Sequence, residues 1–110
     1  MESQDTTQVL QSLHAAGVPA REWIKDSYHR IYVSRLVEFY GLECDHYSTG
    51  SISHATLDGD IISNGRARKL TYALDEAKLW WDAADGKWHA RATDSSMAED
   101  LLAIIKAKLA

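Results

Sequence analysis

The sequence predicts an α+β domain in which antiparallel β-hairpins alternate with helices, in the order α-ββ-α-ββ-α-ββ-α. Segments rich in aromatic and β-branched residues begin near residues 21, 51 and 77, and each contains a turn, which is typical of hairpins. Each hairpin is followed by a serine that can cap a helix: Ser34, Ser63, and Ser95 or Ser96. We expect an antiparallel sheet of five to six strands, with the helices packed mainly on one face.

The first helix is predicted from apolar residues at helical spacing, and Gly17 and Pro19 end it. Segments 21–25 and 29–33 then flank a polar turn and form the first hairpin. Ser34 can cap a short second helix. In the alternative interpretation, residues 30–40 form one long strand, so that the sheet has five strands and the second helix is lost.

The second hairpin has the strongest turn signal of the chain. Asp58-Gly59 is a type I′ sequence and pairs Leu57 with Asp60, whereas residues 43–50 before it are polar and unpatterned. Ser63 or Asn64 then caps the third helix. The last hairpin turns through residues 83–86, and residues 96–99 fit a capping box that opens the terminal helix.

Two adjacent tryptophans in the last hairpin lead to the first candidate site. Because neighbouring residues of a strand point to opposite faces, Trp80 and Trp81 cannot both enter one core. If Leu79, Trp81 and Trp88 face the core, Trp80 shares the other face with Lys78 and Asp82. The candidate partner-binding residues here are Trp80 and the basic stripe Lys87, His89 and Arg91.

This aromatic and basic face has three interpretations. An aromatic ring among cations can stack a nucleic-acid base. Tryptophan and arginine are also enriched at protein-binding hot spots. Alternatively, a helix or the stems of Lys87 and Arg91 cover Trp80, which then has only a structural role.

A second candidate site lies at the start of the third helix. Arg66, Arg68 and Lys69 lie where the helix dipole disfavours cations, and an anion bound there would relieve this conflict. The alternative is a solvated charged surface, balanced by Asp75 and Glu76 further along the helix.

Composition indicates a single domain over residues 1–110 with its own core, since 45% of the residues are hydrophobic and 25% are charged. The single cysteine, the polar start and the absence of a long apolar run predict a cytoplasmic protein without a membrane segment. The net charge of −4 weighs against nucleic-acid binding.

The only tight cluster of reactive residue types is Cys44-Asp45-His46. This cluster supplies too few ligands for zinc, and we interpret it as a buried cysteine beside polar residues. No recognisable catalytic motif is present. We therefore expect no enzyme activity, no metal and no cofactor.

A Trp-x-Lys stretch at residues 23–25, together with segments 30–33, 62–64, 80–82 and 86–88, resembles small uncharacterised proteins of phages and mobile elements, some of which are anti-CRISPR inhibitors. The resemblance implies stoichiometric binding in the host cell cytoplasm and carries over no functional residue.

Our leading hypothesis from the sequence is thus a non-enzymatic protein-binding module, an inhibitor from a phage or mobile element. The alternative is a small nucleic-acid-binding module that uses the same basic groups. A third hypothesis is a homodimer joined through the tryptophan hairpin.

Overall fold

The computed structural model describes residues 6–45 and 51–110, which form four helices and seven strands. In chain order the elements are α1 (Thr6–Ala15), β1 (Ala20–Lys25), β2 (Tyr28–Val33), α2 (Leu36–Phe39), β3 (Leu42–Cys44), β4 (Ala55–Leu57), β5 (Asp60–Ile61), α3 (Asn64–Glu76), β6 (Lys78–Asp82), β7 (Lys87–Arg91) and α4 (Ser95–Leu109). The α+β class predicted from the sequence is confirmed.

The strands form two antiparallel sheets, and the prediction of one sheet was wrong. A four-stranded sheet has the order β1-β2-β6-β7, and a three-stranded sheet has the order β3-β4-β5. The difference arises at β3, which falls partly in the stretch interpreted as unpatterned. A three-residue strand is too short to show an alternating pattern, yet β3 pairs with β4 and thereby completes a separate small sheet.

The core lies on one side of the four-stranded sheet, which we call the inner face. Helices α1 and α4 pack there, and α2 and the C-terminal part of α3 extend the same core. The sheet contributes its alternate residues to this core, and α1 and α4 contribute residues at helical spacing: Ile31, Val33, Leu79, Trp81, Val9, Leu13, Met97, Leu101 and Ile105. Among the described residues, no helix is long and apolar enough to cross a membrane.

The chain after β2 turns into helix α2, so the alternative of one long strand over residues 30–40 was wrong. Arg35 adopts the left-handed conformation (φ 55°, ψ 54°), which interrupts the extended backbone between β2 and the helix. Ser34 was predicted to cap this helix. Instead, Arg35 occupies the cap position, and its side chain makes no capping hydrogen bond.

Helix α3 begins as predicted, because the Ser63 hydroxyl oxygen accepts a hydrogen bond from the Arg66 backbone N–H at 3.2 Å. For α4, the predicted cap at Ser95 or Ser96 was wrong. The carboxylate of Asp94 accepts hydrogen bonds from the backbone N–H and the hydroxyl of Ser96, so the helix begins at Ser95. Ser95 and Ser96 lie inside the first turn.

The predicted type I′ turn is present, with positive φ at both Asp58 (53°) and Gly59 (85°). Leu57 pairs with Asp60, as the turn type requires. Gly86 also adopts positive φ (66°), and this residue completes the loop between β6 and β7.

Candidate functional site: the outer face of the four-stranded sheet

The strand register determines which side chains lie on the face of the four-stranded sheet that points away from the core. Directly paired residues of an antiparallel sheet share a face, and every second residue along a strand returns to it. The pairings across β1, β2, β6 and β7 therefore define the outer face as Arg21, Trp23, Lys25, Tyr28, Arg30, Tyr32, Lys78, Trp80, Asp82, Lys87, His89 and Arg91.

None of these twelve side chains is buried: seven residues are exposed and five are half-buried. Trp23 exposes 38% of its surface and Tyr28 exposes 51%, which is unusual for large aromatic residues. Helices α1 and α4 pack on the inner face, and each of the four strands has at least one exposed residue on the outer face.

The aromatic rings of the outer face form a continuous row. Ring centroids are 6.5 Å apart between Tyr28 and Trp23, 5.9 Å between Trp23 and Tyr32, and 5.8 Å between Tyr32 and Trp80. The His89 ring stacks on Trp80 at 5.5 Å, with an interplanar angle of 18°. Each of the four strands thus contributes at least one ring, and each centroid separation is within the range for favourable aromatic contact.

Arg30 lies in the middle of this row. Its Cζ atom is 4.9 Å from the ring centroid of Tyr28, 5.1 Å from that of Trp80 and 6.0 Å from that of Trp23. Distances of this size allow cation–π attraction to all three rings. The guanidinium is thus held inside the aromatic row on three sides.

Two polar contacts fix the orientation of the Arg30 guanidinium. Nη1 donates a hydrogen bond to the Tyr32 hydroxyl at 3.0 Å, and Nε lies 3.5 Å from the Asp82 carboxylate. The hydrogen bond with Tyr32 raises the pKa of Arg30 above its ordinary value, so the side chain stays charged. Asp82 is the only carboxylate of the outer face.

Charge is distributed unevenly between the outer face and the rest of the chain. Six of the twelve Lys and Arg residues lie on the outer face with one carboxylate, which gives it a formal charge of +5. The other six Lys and Arg residues accompany thirteen carboxylates in the rest of the described chain, which gives −7. A strongly basic surface therefore exists on a protein whose net charge is −4.

The predicted residues of the tryptophan hairpin come together on the outer face. Trp80 pairs with His89, and Lys87 and Arg91 lie on either side of His89 along β7. Trp80 is half-buried, and its ring lies against the rings of Tyr32 and His89 and the guanidinium of Arg30.

His89 has a second contact outside the aromatic row. Its Nε2 atom lies 2.8 Å from Oδ2 of Asp85, in the loop between β6 and β7. The backbone N–H of Lys87 and then the His89 side chain lower the pKa of Asp85, so this carboxylate stays ionised. Asp85 thereby holds the imidazole in place beside Trp80.

The second predicted cluster does not join this surface. Arg66, Arg68 and Lys69 are exposed on the first turns of α3. Ala67, between them, packs with Ile52 and Ala55 beside the three-stranded sheet. The two cationic regions therefore lie on different parts of the fold.

Sequence reasoning missed Trp23 and Arg30, which are central to the outer face. A usable signal was present, because the two-residue turn at 26–27 pairs Trp23 with Arg30 in the first hairpin. The pairing of β2 with β6, which brings Tyr32 beside Trp80, had no signal in the sequence.

The cysteine cluster shows no catalytic arrangement among the described residues. Cys44 is half-buried, and burial, together with the charge of Asp45, raises the pKa of its thiol. A thiol of raised pKa carries less of the nucleophilic thiolate. His46 lies outside the described residues. The described residues contain no group of three or more His, Cys, Asp or Glu that could hold a metal ion.

Comparison with known proteins adds no assignment to this site. No protein-family model matches the chain, and searches of curated proteins and of solved structures also found no match. The resemblance to phage and mobile-element proteins stays a prediction.

Proposed function

We propose that this protein binds single-stranded nucleic acid on the outer face of its four-stranded sheet. The observation that carries the proposal is the combination of a continuous aromatic row with a formal charge of +5 on one open surface. Aromatic rings stack bases, and cations beside them contact phosphates, which together describe a sequence-tolerant single-strand site. Nucleic-acid binding was the alternative hypothesis from the sequence, and we now prefer it to protein binding.

A single strand fits this surface better than a duplex does. In a duplex the flat faces of the bases are stacked on each other, and only groove edges and phosphates are accessible. The exposed rings of Trp23 and Tyr28 can use their hydrophobic faces only with bases that are free to leave a stack. The proposal therefore expects weaker binding to a duplex of the same length.

The electrostatic part of the proposal is tested by the salt dependence of binding. Fluorescence anisotropy with a labelled oligonucleotide would give the affinity of the wild type and of a Lys78→Gln/Lys87→Gln variant. Each lost phosphate contact reduces the slope of log affinity against log salt by about 1, so the double variant loses about 2. The matched control is Lys106→Gln/Lys108→Gln, which removes two charges at the end of α4 and leaves the slope unchanged.

The stacking part is tested with Trp23→Ala. Loss of one stacking ring costs about 1–3 kcal/mol of binding free energy, which is roughly a fivefold to 150-fold loss of affinity. Tyr72→Ala is the matched control, since Tyr72 is 60% exposed on α3, away from the outer face. An undetectable affinity of the wild type for every single strand at low salt would contradict the proposed function.

Protein binding is the second candidate, and the observation that favours it is the presence of Trp, Tyr and Arg side chains on one open surface. These residue types are enriched at binding hot spots. The inhibitor hypothesis from the sequence would use this same surface. A pull-down in which the wild type retains a protein partner and Trp80→Ala does not, without any nucleic-acid binding, would favour this candidate.

A further inference from the structure

We infer that Arg30 makes the outer face selective for guanine among the bases of a bound single strand. This inference rests on the proposed function and adds the base class that the site prefers. Arg30 lies inside the aromatic row, so a base stacked on a neighbouring ring presents its edge to the guanidinium. The exposed rings next to Arg30 are those of Tyr28 and Trp23.

The Arg30 guanidinium is fixed before any ligand binds. Its Cζ atom lies within 6.0 Å of three ring centroids, Nη1 donates to Tyr32, and Nε is beside Asp82. A free arginine side chain loses conformational entropy when it forms a hydrogen bond to a ligand, whereas one already held in place loses less. The contacts around Arg30 thus favour recognition of a base over nonspecific electrostatic attraction of the strand.

The remaining donors of Arg30 match one base better than the others. A guanidinium has five N–H donors. In Arg30, Nη1 donates to Tyr32 and Nε is buried beside Asp82, so the other terminal N–H donors remain for a ligand. Guanine presents two acceptors, O6 and N7, side by side and accepts a bidentate pair from arginine. On the same edge, adenine presents a donor in place of O6 and pyrimidines lack N7, so each of them loses at least one of these two hydrogen bonds there.

The other cations of the outer face do not have this arrangement. Arg91, for example, is exposed on the edge strand β7 and contacts no aromatic ring or carboxylate of the described residues. It can attract phosphate, but nothing holds its guanidinium in one orientation. Arg30 is therefore the specificity-determining residue, and the other cations of the outer face are general phosphate contacts.

The test measures binding of labelled oligothymidine strands of about eight nucleotides, within the usual site size of sheet-face binders. Two central positions carry guanine, adenine, cytosine or 7-deazaguanine, which lacks the N7 acceptor. We expect the wild type to prefer the guanine strand by roughly tenfold, the discrimination typical of one bidentate pair. The 7-deazaguanine strand loses this preference, and this result needs no protein variant.

The variant Arg30→Lys keeps the charge and removes the planar fork, so it should bind all strands with the affinity that the wild type has for the thymidine strand. Arg91→Lys is the matched control and keeps the preference for guanine. Equal binding of all strands by the wild type would overturn the role of Arg30 and leave the proposed function in place. Binding of no strand would contradict both.

Discussion

Trp80 and Trp81 are neighbours in the chain with opposite surroundings. Trp81 is 2% exposed and belongs to the core, where it pairs with Trp88 on the inner face. Trp80 contacts Tyr32 and His89 on the outer face and remains half-buried. The alternation of side chains along β6 accounts for the whole difference, because both residues have the same chemistry.

This difference predicts unequal effects of two identical substitutions. Trp81→Ala removes a buried ring and should lower the free energy of unfolding by about 3–5 kcal/mol, since it leaves a cavity in the core. Trp80→Ala should keep a cooperative unfolding transition and lose less stability, because Trp80 is only half-buried and lies outside the core. Urea denaturation of both variants measures the difference. Equal destabilisation would mean that Trp80 is also a core residue.

At the scale of single elements, helix α4 begins with a charged cap. The Ser96 hydroxyl and then its backbone N–H donate hydrogen bonds to Asp94 and lower the pKa of that carboxylate. A carboxylate whose pKa is lower in the folded chain than in the unfolded chain stabilises the fold above the unfolded pKa. This stabilisation is lost as the pH falls through the lower, folded pKa.

Asp94→Asn therefore has an effect that depends on pH. Asparagine keeps an acceptor for the cap but does not titrate, so the wild type should have the higher Tm at neutral pH, and this advantage should shrink in acid below about pH 4. Thermal melts followed by circular dichroism at several pH values measure it. A Tm difference that is constant with pH would show that the charge of Asp94 does not contribute to the cap.

Elements formed by interactions between residues close in the sequence were easier to predict than elements formed by interactions between distant residues. The turn at Asp58-Gly59 and the cap at Ser63 depend on residues within a few positions and were predicted correctly. The cap at Asp94 was missed because a serine and an aspartate both satisfy local capping preferences, and both residue types occur side by side at the start of α4. Strand β3 exists because of its pairing with β4, eleven or more residues along the chain.

On the scale of the whole molecule, folding separates the charges. The chain has a net charge of −4, yet the outer face carries +5 and the rest of the described chain carries −7. Such a separation orients the protein toward a polyanion and raises the association rate at low salt. The net charge, which weighed against nucleic-acid binding in the sequence, therefore says little about this surface.

Binding at the outer face should stabilise the whole fold, because the face exists only when four strands from both ends of the chain are assembled. An oligonucleotide at one hundred times its Kd should raise the free energy of unfolding by about 2.7 kcal/mol. Urea denaturation with and without the strand measures this, and high salt should remove the effect. An unchanged midpoint at low salt, although the strand is bound, would indicate binding to the unfolded chain as well.

The sequence by itself determined the α+β class, the hairpin turns and the alternation that separates Trp80 from Trp81, because these depend on neighbouring residues and on the fixed period of a strand. Only the tertiary structure decided that β2 pairs with β6 and that Trp23, Arg30 and Trp80 share one surface. Local residues carry no signal for that pairing. It follows from burying the inner face of both hairpins under α1 and α4, which is a property of the complete core.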